Sequence, residues 1–213
     1  MIVSPSIASS NVLNVAEETK FADQYFDEIH VDIEDGVAVS GISFGMKMTR
    51  GIASLTDKPI SLHLEVINPL TFLDDVAQIK PAFTFIQADV LENPLEVIKA
   101  FKAKGLEVGL AIGDRDLEKD FSEIYAITNC VLICTAFHAD DAQIYQPSLG
   151  DLALKLANNG MKVWIDGGVN FDIYNQLKDT PIHAAVMGRG VFANKEYAVK
   201  AYSVNFPPFL YIY

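Results

Sequence analysis

Short apolar runs rich in β-branched residues alternate with longer stretches of helical spacing from one end of this chain to the other. That alternation limits the fold more than any other feature. Candidate strands cover residues 2–6, 28–32, 60–66, 83–88, 107–111, 131–135, 162–165 and 184–187. Helical patterns between them include 12–25, 70–79, 95–103, 117–127, 147–158 and 171–177. In the first of these, Val12, Val15, Ala16, Thr19, Ala22 and Phe26 share one stripe. Strand followed by helix, repeated, dictates a parallel sheet with helices packed on it. Eight such units suit a closed (β/α)8 TIM barrel of the α/β class. A flavodoxin-like open sheet needs fewer strands and is the second choice. With 213 residues, 50% of them hydrophobic, and no linker or low-complexity stretch, the expectation is one domain spanning 1–213.

A barrel also says where chemistry would sit, because active sites in this architecture lie at the C-terminal ends of the strands. The second strand finishes His30-Val31-Asp32-Ile33-Glu34-Asp35-Gly36. Its two-residue period sends His30, Asp32 and Glu34 to one face and Val31 and Ile33 to the other. The third strand repeats the design in Leu62-His63-Leu64-Glu65-Val66, and the seventh ends Ile165-Asp166-Gly167-Gly168. A lone inward histidine is ordinarily a hydrogen-bonded core residue. Several ionisable groups facing one interior are different, since each is expensive to bury unless paired or bound to a cation. Two imidazoles with at least two carboxylates satisfy a divalent transition metal, and zinc, manganese, iron and cobalt all accept that ligand mixture.

Charge excludes other roles. Sixteen Lys and Arg against 28 Asp and Glu leave a net charge of −12, and such a field repels nucleic acid and anionic membrane surfaces. No apolar run has the length of a membrane helix, and the start MIVSPSIASSN lacks the pattern of a secretory leader. The expected setting is cytoplasmic. Cys130 and Cys134 share one strand. At about 3.3 Å per residue their α-carbons stand about 13 Å apart, beyond the roughly 7 Å limit for a disulfide. Both are expected as free thiols.

Several segments together resemble the ribulose-phosphate 3-epimerase family, and the likeness runs over nearly the whole chain. They are Ser4-Pro5-Ser6-Ile7-Ala8-Ser9, His30 to Gly36 with Ile42-Ser43-Phe44-Gly45, His63, Asp166-Gly167-Gly168-Val169, and Gly188. The resemblance implies a (β/α)8 enzyme, working as a homo-oligomer, that inverts one carbon of a ketose phosphate by removing and returning a proton. It implies His30, Asp32, His63 and Asp166 as metal ligands, with Asp32 the general base and Asp166 the general acid. Ser6 and His63 would contact substrate, with Gln143 from the loop after the sixth strand. Phosphate would lie on the turns bearing Gly167, Gly168, Gly188 and Gly190, where Arg189 stands in place of the usual serine. The chemistry is coherent with those residue types. A proton on carbon beside a ketone is too weak an acid for a carboxylate alone, so a Lewis acid must stabilise the enediolate. Inversion then needs two acid/base groups on opposite faces, with separated pKa values.

The sequence also departs from that pattern. Glu34, Glu65 and Cys134 occupy positions where the family has methionines, so they either join the site lining or turn outward. Gln87 and Asp89 stand for His and Glu, and Gly113-Asp114 for Asn-Pro. The loop Phe137-His138-Ala139-Asp140-Asp141-Ala142-Gln143 is acidic where a glycine-rich phosphate clamp is usual. These differences support a second expectation, a catalytically impaired barrel that binds another sugar or sugar phosphate. Decarboxylation by a related barrel would call for a lysine in the second strand, where Glu34 stands. His138 reads as a solvated loop residue and His183 as surface or helix-packing. The apolar tail 205–213 needs cover, from the barrel or from another copy of the chain.

Overall fold

A computed structural model describes residues 1–138 and 142–203 of the chain. The strands are β1 Ile2–Pro5, β2 Ile29–Glu34, β3 Ile60–Glu65, β4 Phe83–Gln87, β5 Val108–Ile112, β6 Cys130–Cys134, β7 Lys162–Asp166 and β8 Ala184–Met187. They form one eight-stranded sheet in the order β1-β8-β7-β6-β5-β4-β3-β2, with every neighbouring pair parallel. The two end strands meet through an isolated parallel bridge between Ser6 and His30, which nearly closes the cylinder. The TIM-barrel expectation is met.

Nine helices cover the strands among the described residues: α1 Val15–Tyr25, α2 Met46–Ala53, α3 Leu73–Ile79, α4 Pro94–Ala103, α5 Ser122–Tyr125, α6 Pro147–Asn158, α7 Phe171–Leu177, α8 Arg189–Phe192 and α9 Lys195–Ser203. None of the helices among these residues is long and apolar enough to cross a membrane. Proline at the first position of α4 and α6 starts each helix cleanly, since its missing N–H and fixed φ suit that position.

Three helical expectations need correcting. Residues 12–14 form a 3-10 turn capped by the Asn11 side chain, with Val12 exposed rather than on the core stripe. The 70–79 pattern divides into a 3-10 turn, Pro69–Phe72, and α3, leaving Leu70 exposed. The 117–127 pattern is helical only over α5. Upstream, the buried Asp116 carboxylate accepts from the Gly113 N–H and from Lys119, closing a separate turn that turns Leu117 to solvent.

Alternation along the strands produces two cores. The larger lies between sheet and helices and includes Val31, Ile33, Leu62, Leu64, Ile133 and Ile165. The smaller fills the barrel itself with Phe85, Ala111, Cys130, Leu132, Trp164, Ala184 and Val186. Large and small side chains must interdigitate there: the Trp164 ring lies 4.4 and 5.0 Å from those of Phe83 and Phe85, while Gly109 sits so close to the Cys130 backbone that no Cβ would fit. Both cysteines are free thiols. His183 is partly exposed, as a surface position would be, and it also packs against the barrel floor. It sits half-buried beneath the barrel, its ring 4.5 Å from that of Trp164.

Candidate metal centre and active site

Above this apolar plug the inward positions turn polar. β2 contributes His30 and Asp32, β3 His63, and β7 Asp166, and one ligand atom from each lies within 4.8 Å of all the others. The expected four-residue set converges.

The hydrogen-bond partners fix which ring nitrogen carries the proton. Ser61 Oγ donates to Glu28 Oε1 at 2.7 Å, so it can only accept from His30 Nδ1, also at 2.7 Å. His30 Nε2, the nitrogen left unprotonated in the neutral ring, stands at hydrogen-bond distance, 3.0 Å, from Asp32 Oδ1. On the other side, Gln87 Nε2 donates to Asp89 Oδ1 at 2.8 Å, which turns Gln87 Oε1 toward His63 Nε2 at 3.0 Å. Nε2 donates, and His63 Nδ1 becomes the bare nitrogen. It is buried without a hydrogen-bond partner, 3.5 Å from Asp32 Oδ1 and 3.7 Å from Glu65 Oε1. In neutral rings both nitrogens would turn lone pairs toward carboxylates, so each calls for a proton of its own or for a shared cation. A divalent metal fits this donor set, and the outer partners hold each ring as metal-binding histidines are usually held.

The metal-free electrostatics show the same demand. Burial pulls His63 down, yet Glu65 and Asp32 overcome it and raise it to about 9. His30 also rises, Asp32 outweighing burial. Asp32 is held far below the ordinary carboxylate range because His30 and His63 defeat the burial penalty. Asp166 moves the other way, pushed to about 6 by burial and by the charge on Asp32. Burial, with Asp32 and Asp166, lifts Glu65 to about 7 against the pull of His63. Two carboxylates of one site thus differ sharply in proton affinity.

Residues 2–192 match the profile of the Ribulose-phosphate 3 epimerase family. The chain belongs to the ribulose-phosphate 3-epimerase family. A protein named ribulose-phosphate 3-epimerase from Helicobacter pylori is 23% identical over 202 residues, covering 92% of this chain and 93% of that one. The Synechocystis protein of the same name is 27% identical over 209 residues, covering 93% and 90%. The chloroplastic ribulose-5-phosphate-3-epimerase of Arabidopsis thaliana is 27% identical over 214 residues, covering 93% and 74%. That name denotes an isomerase acting on carbohydrates. Among solved structures, KGPDC from Streptococcus mutans superposes with a TM-score of 0.68 at 15% identity over 96% of this chain and 95% of that one. A tryptophan synthase α-subunit from Pyrococcus furiosus gives 0.71 at 14% over 95% and 96%. These likenesses establish the barrel alone.

The family's mouth is here a cavity of about 620 Å³ whose lining includes Ser6, Asp32, Gln143, Asp166, Gly167 and Gly188. His30 and His63 lie behind Asp32, outside that lining. Glu34, Glu65 and Cys134 also line the cavity, so neither glutamate turns outward. Glu34 packs directly over Gly41, where a Cβ would strike its carboxylate. A side lobe of about 290 Å³ is bounded by Ser9, Gln143, Gly167, Gly168, Gly188 and Arg189. Gly167 and Gly168 have φ of +105° and +71°, and a Cβ on the first would come within 2.7 Å of the Ala136 nitrogen. Only glycine allows the chain to turn there. The Thr135 hydroxyl, 2.9 and 2.7 Å from the carbonyl oxygens of Asp166 and Gly167, steadies this turn.

Arg189 places one guanidinium nitrogen 2.6 Å from the Ala142 carbonyl, so one arm of the fork is already engaged. His138 lines the mouth, its Nδ1 3.9 Å from Asp89. Ala139, Asp140 and Asp141 of the acidic loop, and the tail 205–213, lie outside the described residues. Glu28 and Ser61 were not foreseen as part of the site. Each stands two residues before His30 or His63 with the same inward parity, which is the signal that identifies them.

Proposed function

We propose that this chain is a metal-dependent 3-epimerase of a ketose phosphate of the ribulose 5-phosphate type. One observation carries the reading: two imidazole nitrogens, that of His63 buried without a hydrogen-bond partner, and two carboxylates from three strands converge at the C-terminal mouth of the barrel. A divalent cation held by His30, Asp32, His63 and Asp166 would supply Lewis acidity to the substrate's carbonyl and adjacent hydroxyl. Asp32, kept ionised by its two histidines, takes the carbon-bound proton. The Ser6 hydroxyl donates to Asp32 Oδ2 at 2.5 Å and aims the other oxygen. Asp166, with its raised proton affinity, returns a proton on the opposite face. Such divergence of two neighbouring carboxylates is the expected division of labour between base and acid. The side lobe holds the phosphate, through backbone N–H groups of Gly167, Gly168 and Gly188, the free arm of Arg189, and Gln143.

Incubation with ribulose 5-phosphate in deuterated water should place deuterium at the inverted carbon. Asp32→Asn and Asp166→Asn should each abolish it; exchange that persists in both variants ends the assignment. A second reading, a barrel that binds another sugar or sugar phosphate without turnover, is favoured by Glu34, Glu65, Asp89 and Asp114 around the mouth, a poor setting for a substrate dianion. Thermal shifts with unphosphorylated ketoses and no isotope exchange would select it.

A further inference from the structure

Glu28 is a carboxylate with 1% of its surface exposed, set in the apolar floor of the barrel, and the proton transfers above make no use of it. Burying such a group is expensive unless its acceptors are filled. One of its oxygens is engaged in a directed way. Its Oε1 accepts from the Trp164 indole N–H at 2.7 Å and from the Ser61 hydroxyl at 2.7 Å. His183 Nε2 stands 3.9 Å from its other oxygen. Ser61 has one proton, and it is committed downward to Glu28. Its oxygen therefore presents only lone pairs upward, to His30 Nδ1.

We propose that Glu28, acting through Ser61, is a positioning residue: it fixes His30 as the Nδ1-protonated tautomer and so delivers the Nε2 lone pair to the centre of the barrel. This rests on the metal reading given above. The cross-strand register makes the contact possible. His30 pairs with Ser61 across β2 and β3, and Glu28 lies two residues before His30 on the same face. Without Glu28 the Ser61 hydroxyl is free to rotate and donate to Nδ1. That would move the ring proton to Nε2, where a cation is meant to bind. Trp164 contributes by holding the carboxylate oxygen that Ser61 addresses. The chain Trp164, Glu28, Ser61, His30 thus runs up the barrel axis from the apolar plug to the site. Loss of outer-shell partners of this kind typically costs 10–100-fold in metal affinity.

The test is a Co(II) titration of the full-length protein, read from the visible ligand-field absorption, in the parent, Glu28→Ala, Ser61→Ala and the double variant. Glu28→Ala removes the one oxygen, Oε1, that accepts from both Trp164 and Ser61, and so frees the Ser61 hydroxyl. Each single variant should weaken cobalt binding by about 10–100-fold. The double variant should match the weaker single within about threefold, because both changes break one chain; a purely structural Glu28 would give multiplied losses. Should Glu28→Ala fail to fold, Ser61→Ala, which leaves the contact between Glu28 and Trp164 in place, decides alone by the same tenfold criterion. Affinities within about threefold of the parent in the single variants, or multiplied losses in the double, overturn the proposal while leaving the metal reading intact. A parent that takes up no cobalt overturns both.

Discussion

Proton competition at His63 sets the first prediction. In the metal-free protein this imidazole is raised from 6.5 to about 9, so near pH 7 it is almost wholly protonated, whereas a metal ligand must be neutral. At about 1.4 kcal/mol per unit, displacing that proton near pH 7 costs roughly 3 kcal/mol. Cation affinity should therefore rise about 50-fold between pH 7 and pH 9, and further because His30 is raised too. Loading at pH 7 should release close to one proton from His63 and more from His30. Calorimetric titration with zinc in two buffers of different ionisation enthalpy counts those protons directly.

Stability of the metal-free form should run in the opposite sense. A group whose folded pKa exceeds its unfolded value stabilises below the unfolded value and loses that contribution as pH rises through the folded one. For His63 the window is 6.5 to about 9. Asp166 and Glu65, raised to about 6 and about 7, lose theirs at lower pH in the same direction. Metal-free protein should melt at progressively lower temperature as pH climbs, and the loaded protein should not. An affinity independent of pH over this range, with no proton released, would refute the reasoning about the two imidazoles.

Other outcomes follow from the same geometry. Gly168→Ala forces a Cβ into the backbone of Gln143 and Tyr145 at a φ of +71°; it should cost at least the roughly 1–2 kcal/mol of left-handed strain, visible as a lower melting temperature. Arg189→Ala should raise KM for the phosphorylated ketose at least tenfold and leave weak turnover of the unphosphorylated sugar unchanged. Burial pushes the Cys130 thiol to about 12 and raises Cys134, so neither should react with iodoacetamide in the native protein near pH 8, and both should after denaturation. Ile133→Ala, at a fully buried position between sheet and helices, should destabilise by about 2–5 kcal/mol without changing metal content.

The strands were legible because their β-branched runs are short, frequent and separated by helix-forming stretches, and their ends were visible as His-x-Asp and Asp-Gly-Gly. Helix α6 could be placed to the residue because Pro147 starts it. The 117–127 stretch could not, since Leu117 and Ile127 supply apolar spacing that a buried side-chain cap at Asp116 overrides. The four converging side chains were readable from two-residue periodicity. The layer beneath them was harder. Glu28 stands at the start of a strand, where a charged residue ordinarily faces water, and Ser61 is an unremarkable polar residue until its register partner is known. Whether Glu34 and Glu65 face inward is likewise a matter of strand twist and of the room that Gly41 leaves.

The bridge between Ser6 and His30 is the one backbone pairing that joins β1 to β2 among the described residues. The Ser6 hydroxyl then adds a lateral stitch to Asp32 across that same gap. The weakest joint in the hoop therefore coincides with the carboxylate proposed above as the base. Slackening there would spoil reactivity long before it unravelled the staves, so in this protein inactivation on warming should precede loss of helical signal, and whatever draws His30 and Asp32 together also tightens the clasp.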